Sequence, residues 1–226
     1  AGIANIQSNI GAIYQNQGNE SKALEFLFNS LRNSEQIGDQ FRIASALINI
    51  GSVYQHKTAT YDKAIQYYLR ALPMSEKLQD NDQIGTIVLN IGEIYQVRGN
   101  IDSALYYFKK AEQAFQSTVD ISSVYIDIGK VYELKKEYPI AQRYHQQAYD
   151  SAVAMDSKLY EAKALKNLAG IFLLTGNNKK ALQYYLKAEQ LAKDMNSTSE
   201  LRDIYQGLAV NYSKLSDYAK AYKYQN

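Results

Sequence analysis

One six-residue phrase, returning at a nearly constant interval, restricts this chain more than any other feature. Asn9-Ile10-Gly11-Ala12-Ile13-Tyr14 comes back as Asn49-Ile50-Gly51-Ser52-Val53-Tyr54 and as Asn90-Ile91-Gly92-Glu93-Ile94-Tyr95. Looser copies are Asp127-Ile128-Gly129-Lys130-Val131-Tyr132, Asn167-Leu168-Ala169-Gly170-Ile171-Phe172 and Gly207-Leu208-Ala209-Val210-Asn211-Tyr212. The small residue in third place falls at 11, 51, 92, 129, 169 and 209, in steps of 40, 41, 37, 40 and 40. A second small residue keeps time with it at Ala23, Ala64, Ala104, Ala141, Ala181 and Ala221. A third follows seven later at Ser30, Ala71, Ala111, Ala148 and Ala188. The second repeat carries one extra residue, in the turn between His56 and Tyr61. Units that recur in this way cannot bury an apolar face alone and must stack on their neighbours.

Each unit reads as two helices. Ile43, Ala44, Leu47, Ile50 and Tyr54 follow the i, i+3, i+4, i+7 spacing of an amphipathic helix, and Ala64, Ile65, Tyr68, Ala71 and Leu72 do the same in the next. Gly18-Asn19, Gly99-Asn100 and Gly176-Asn177 separate the two, glycine supplying the left-handed backbone that ends a helix. Tyr138-Pro139 stands there in the fourth unit, with Pro139 in a first helical turn where a missing N–H costs little. Pro73 falls inside a second helix and is expected to kink or shorten it. Gly51 is expected to let Ala64 and its neighbours draw near, with Tyr14, Tyr54, Tyr95, Tyr132, Phe172 and Tyr212 filling the space between hairpins. Tyr67, Tyr68, Tyr106, Tyr107, Tyr184 and Tyr185 occupy matching places in second helices and read as core.

Composition removes several function classes. The chain has no cysteine, so a thiolate zinc site, a disulfide framework and a cysteine nucleophile are excluded. A net charge of +2, with both signs interspersed, gives no footprint for nucleic acid or an anionic membrane. No apolar run approaches the ~20 residues of a membrane span. His56 lies in a turn and His145 in a second helix, at the place of Tyr68, Phe108 and Tyr185 in sister units. No phosphate loop, paired-histidine helix or nucleophile elbow is present, and the glycines are accounted for by packing and turns. Glu20, Asp62, Asp102 and Asp217 open second helices, where they suit the helix dipole and cap. The expectation is a non-catalytic chain without cofactor or metal. The chain opens inside one helical pattern (Ala4, Ile6, Ile10, Ile13) and closes inside another (Tyr222, Tyr224, Asn226), so it is expected to be a piece of a longer protein. Cytoplasm and periplasm are both open to it.

The order small residue, aromatic three later, alanine twelve later and alanine seven after that resembles the tetratricopeptide repeat, over essentially the whole chain. The period of about 40 resembles the long-repeat branch, similar to kinesin light chain and to bacterial sensor and peptide-receptor domains. The resemblance implies an all-α, right-handed superhelical solenoid of antiparallel helix hairpins. It is expected to be one domain over residues 1–226, in six repeats at about 1–40, 41–81, 82–118, 119–157, 158–197 and 198–226, the last truncated.

In such solenoids the first helices line the concave face. The position two before each small residue holds Asn9, Asn49, Asn90, Asp127, Asn167 and Gly207. Asparagine is a poor helix former, so propensity does not explain its recurrence. It carries both a donor and an acceptor, and a row of such amides can pair with an extended peptide backbone. The resemblance implies that asparagines at this place line a peptide groove; the alternative is that they hold hairpin spacing. Gln15, Gln55 and Gln96, further along the same helices, extend the polar lining. A clamp for a terminal carboxylate is not expected, because only Lys166 stands among Ser8, Ile48, Leu89, Ile126 and Gln206 at the comparable places. The functional expectation is a protein- or peptide-binding module, the sensory or scaffold region of a larger bacterial signalling protein. The alternative is a scaffold that self-associates through its ends or convex face.

Overall fold

Helical periodicity with small residues at fixed places predicts hairpins, and hairpins are what the chain forms. The computed structural model describes residues 2–116, 118 and 120–225; Ala1, Val119 and Asn226, which bound expected repeats, lie outside the described residues. The chain divides into two compact units, residues 1–114 and 115–226. The first contains α1 (Gly2–Asn16), α2 (Glu20–Ile37), α3 (Gln40–Gln55), α4 (Tyr61–Leu78), α5 (Asn81–Val97) and α6 (Ile101–Ala114). The second contains α7 (Ile121–Leu134), α8 (Tyr138–Ala154), α9 (Lys158–Leu174), α10 (Asn178–Asp194), α11 (Thr198–Lys214) and α12 (Tyr218–Gln225). No strand occurs among the described residues. Odd-numbered helices open the hairpins and even-numbered helices close them. Within a unit each opening helix also touches the next opening helix, as α1 touches α3 and α9 touches α11. No helix of the described residues is long and apolar enough to cross a membrane.

The turns follow the expected chemistry. Gly18, Gly99 and Gly176 hold positive φ of 73°, 75° and 82°. In the fourth hairpin Lys136 takes that backbone (φ 60°) and Pro139 sits in the first turn of α8. Asn19 and Asn177 cap α2 and α10 by accepting the N–H of Lys22 and Lys180. The extra residue of the second repeat is absorbed by a 3₁₀ turn, Thr58–Thr60, and Thr60 Oγ1 donates to the Tyr54 carbonyl at 2.5 Å. Of the four acidic residues at second-helix starts, Asp217 accepts the Lys220 N–H as a cap, while Glu20 and Asp62 lie in the first turn and pair with Lys57 and Arg98 of the neighbouring hairpin.

The first core gathers Leu27, Leu47, Ile50, Tyr68, Ile87 and Ile91, and the second gathers Leu165, Leu168, Phe172, Tyr185, Ile204 and Leu208. Each such side chain contributes ~1.5–3 kcal/mol on burial. The small residues serve close approach, Gly11 across from Leu27 and Gly51, Gly92 and Gly129 across from rings rather than alanines. A Cβ on Gly51 would lie 2.7 Å from the Tyr68 ring, and one on Gly92 would lie 2.6 Å from Phe108. The partner is thus the residue four after Ala64 or Ala104. The tyrosines of the repeated phrase, expected to fill the space between hairpins, pack against the shared core and find their ring partners within a hairpin. They stack inside their own: Tyr54 on Tyr67 (5.6 Å, 10°), Tyr95 on Tyr107 (5.6 Å, 9°) and Tyr212 on Tyr224 (5.7 Å, 10°). Tyr106, read as core, is 56% exposed, because it falls on the outer face of α6 beside the inward Tyr107. Pro73 does not shorten α4, which runs on to Leu78. Its ring lies on the exposed face while Tyr68, Ala71 and Ser75 bury the other.

Candidate functional site

The residues expected to line a groove all lie on opening helices, and the structure gives them unequal company. In the first unit Asn9 is exposed, and Asn49 Nδ2 donates to Ser8 Oγ on α1 at 3.1 Å. Gln15 Nε2 donates to Ser52 Oγ at 2.9 Å and lies 3.0 Å from His56 Nε2. Gln55 Nε2 donates to Glu93 Oε2 at 2.9 Å, while its Oε1 accepts the Tyr68 hydroxyl at 2.6 Å. Asn90 also hydrogen-bonds the Tyr68 hydroxyl. Gln96 is half-buried. Asn49, Gln15 and Gln55 therefore tie one repeat to the next across 41, 37 and 38 residues of chain. Burial pushes the Tyr68 phenol far above its ordinary range, the Glu93 charge adds to this, and the Asn90 hydrogen bond acts against it.

In the second unit Asp127 is buried and its Oδ1 accepts from Lys130 Nζ at 2.9 Å. Asn167 faces a cleft of about 420 Å³ lined from three consecutive opening helices. α7 supplies Glu133, α9 supplies Lys166 with Asn167 and Gly170, and α11 supplies Asp203 with Gln206. Tyr185 of α10 forms part of the floor. Its ring stands 2.4 Å from where a Cβ on Gly207 would be, which accounts for glycine at a place held by asparagine elsewhere. Burial raises the Tyr185 phenol, with the Glu133 charge second, so it stays a neutral hydrogen-bonding group. Glu133 Oε1 is 2.5 Å from Nε2 of the fully buried His145, whose Nδ1 has no hydrogen-bond partner. Lys166 is shared between Asp203 (3.1 Å) and Glu200 (3.7 Å), and its hydrogen bond holds the Asp203 carboxyl below the usual range.

Sequence reasoning brought Asn167 to this cleft and missed Glu133, Tyr185, Asp203 and Gly170. The glycines are not all accounted for by packing and turns: a Cβ on Gly170 would meet nothing closer than the Tyr185 hydroxyl at 3.9 Å. The available signal was a second small residue directly after Ala169, inside a helix, where one suffices for packing.

Among the described residues no group of three or more His, Asp or Glu side chains is placed to hold a metal ion. No curated protein matches the chain. Solved structures do. The crystal structure of BtubC (BKLC) from P. vanneervenii is 15% identical, with a TM-score of 0.78, over 91% of this chain and 87% of that one. The apo form of the quorum sensor NprR from B. thuringiensis is 20% identical, with a TM-score of 0.79, over 98% of this chain but only 63% of that one. A Rap protein complexed with Competence and Sporulation Factor is 16% identical, with a TM-score of 0.74, over 97% and 71%. At these identities the likeness is one of fold. The family model described as tetratricopeptide repeat matches residues 2–77, 42–117, 83–152 and 120–194. With hairpins, small-residue register and family match in agreement, the chain belongs to the tetratricopeptide repeat family, a protein-interaction fold.

Proposed function

We propose that this chain is a non-catalytic peptide-binding module, the sensory region of a larger bacterial signalling protein, and that it takes an extended segment along its opening helices. The observation that carries the reading is the cleft of the second unit, where polar side chains from α7, α9 and α11 converge beside Asn167. An extended peptide exposes donors and acceptors along its length, and a row of amides on successive helices meets them at the repeat spacing. Likeness in fold to a quorum sensor and to a Rap protein complexed with Competence and Sporulation Factor supports the same direction. In the first unit Asn9 would face the segment, with Asn49, Asn90, Gln15 and Gln55 tied to neighbouring repeats and holding the helices that present it. That residues 1–226 act as a single six-repeat domain is proposed as well; one unfolding transition for the chain supports it and two separable transitions oppose it.

The test is retention of a random extended-peptide library by the wild type, by Asn167→Ala and by Asn49→Ala/Asn90→Ala. Loss of retained sequences in Asn167→Ala, with unchanged helical signal and melting temperature, supports the groove. If the wild type retains no peptide, the reading is wrong. A second reading, self-association through the ends, rests on Ile3, Ile6 and Ile13, exposed at 67%, 60% and 54%, and on Tyr218 and Tyr222 at 68% and 70%. A monomeric mass at every concentration in sedimentation would exclude it.

A further inference from the structure

Glycine inside a helix lowers its stability, so each one needs a reason. Gly11, Gly51, Gly92, Gly129 and Gly207 have theirs: each would put a Cβ within 3 Å of a neighbouring side chain. Gly170 has no such neighbour, and the space beside it is the cleft. The same register in sister helices holds Ala12, Ser52, Glu93, Lys130 and Val210, never glycine. Ser52 and Glu93 there accept hydrogen bonds from Gln15 and Gln55, and Lys130 binds Asp127, so side chains fill the row. At Gly170 the row is interrupted and bare backbone borders open volume. The charged side chains lining that volume are the Glu133 and Asp203 carboxylates and the Lys166 ammonium; Lys166 is held by Asp203 and Glu200, Arg202 outside the lining lies 3.7 Å from Asp203, and Glu133 meets His145.

Resting on the peptide-binding reading above, we infer that Gly170 is a specificity-determining position that opens a seat for a lysine or arginine side chain of an extended peptide. The peptide passes close over the uncovered turn of α9, and its cation is met by Glu133 and Asp203. The charge balance favours a basic side chain over an acidic one, and Tyr185, neutral and within the floor, adds a phenol able to accept from the cation.

The experiment measures peptides selected by the wild-type chain from the random library against Gly170→Ala, Gly170→Leu and Asp203→Asn, with melting temperatures read on the same samples. Selected peptides are expected to share a lysine or arginine at one position. Gly170→Leu is expected to weaken them at least tenfold without lowering the melting temperature, and Gly170→Ala to raise the melting temperature. Asp203→Asn is expected to lose the preference for the basic residue. A smaller loss for Gly170→Leu, a lowered melting temperature in either Gly170 variant, or peptides without a shared basic residue overturns the inference while leaving peptide binding intact. No retained peptide in the wild type sinks both.

Discussion

At the scale of single residues, two kinds of glycine occupy the opening helices and respond oppositely to substitution. At Gly92 a Cβ would sit 2.6 Å from the Phe108 ring, itself fully buried. Gly92→Leu should therefore cost ~1–3 kcal/mol or more by overpacking. At Gly170 the space is open, and Gly170→Ala should add ~0.5–1 kcal/mol through helix propensity. Urea unfolding of the two variants beside the wild type checks both signs at once, and equal shifts would refute the distinction. The recurring small residue was legible in the sequence because packing repeats at the period of the chain. Its partner was not. Spacing put Ala64 opposite Gly51, whereas a helical side chain leans toward the N-terminus of its own helix and brings the Tyr68 ring over that place. Gly170 passed as packing although Ala169 beside it already supplies the small residue of that repeat; the sequence marks it as surplus, and only the structure shows the open space next to it. His145 makes a related case. It is fully buried, a Cβ on Gly129 would lie 2.4 Å from its ring, and its Nδ1 has no partner. Phe108 fills the same register in the preceding repeat. His145→Phe keeps the ring and removes the orphaned nitrogen, whose burial costs ~1–3 kcal/mol. Chemical denaturation should show stability unchanged or higher; a loss beyond ~1 kcal/mol would mean the Glu133 contact outweighs the orphan.

At the scale of helices, α4 keeps Pro73 in its interior at a position that favours other residues. Proline removes one backbone hydrogen bond and crowds the preceding turn, at ~3 kcal/mol in a free helix. Burial of Tyr68, Ala71 and Ser75 on the opposite face holds the helix through to Leu78 despite this. Pro73→Ala should then raise stability by ~1–3 kcal/mol, less the ~0.4–1 kcal/mol by which proline restrains the unfolded chain. A higher urea midpoint with an unchanged slope is the expected readout, and a lower midpoint would show that the ring itself packs usefully. Helix starts, stops and pairing were readable from glycine, asparagine and the apolar spacing. The row of amides was readable as a row, since period alone places Asn9, Asn49 and Asn90 on one face of successive helices. Which of them stay open to a partner was not, because that depends on contacts about 40 residues apart in the chain. Asn49 reaches Ser8, and Gln55 reaches Glu93. A single periodicity says that such residues are neighbours without saying which amide turns toward which.

At the scale of the molecule, the ionisable groups set the pH window in which the helices hold together. Asp39, Asp203 and Asp217 have carboxyls below their ordinary range, through hydrogen bonds from the Arg42 backbone, from Lys166 and from Lys220 respectively. A depressed carboxyl contributes stability above the unfolded pKa of about 3.9 that is lost as pH falls toward the folded value. Asp203 is exposed and Asp39 and Asp217 are partly exposed, so solvent screens all three and the acid-side loss should be shallow. The alkaline side is different. Burial raises the phenols of Tyr67, Tyr68, Tyr107, Tyr149, Tyr185 and Tyr224, and carboxylate partners raise the ammonium groups of Lys193 and Lys220. For these groups the folded value lies above the unfolded one, so their stability is complete below about pH 10 and drains away as pH rises further. Each tightly buried tyrosine can steepen that decline by up to ~1.4 kcal/mol per pH unit once the unfolded phenol ionises. The strongest cases are Tyr68 in the first unit and Tyr185 in the second, both in the register where Phe108 already serves. Tyr68→Phe/Tyr185→Phe should lose a little stability at pH 7, from the hydrogen bond to Gln55, yet decline less steeply than the wild type above pH 10. Urea midpoints measured across that range, with phenolate absorbance followed on the same samples, decide it. Parallel declines in both proteins would place the alkaline sensitivity with the remaining raised phenols and the surface lysines; a crossing of the two curves assigns it to the two buried phenols that the repeats close over.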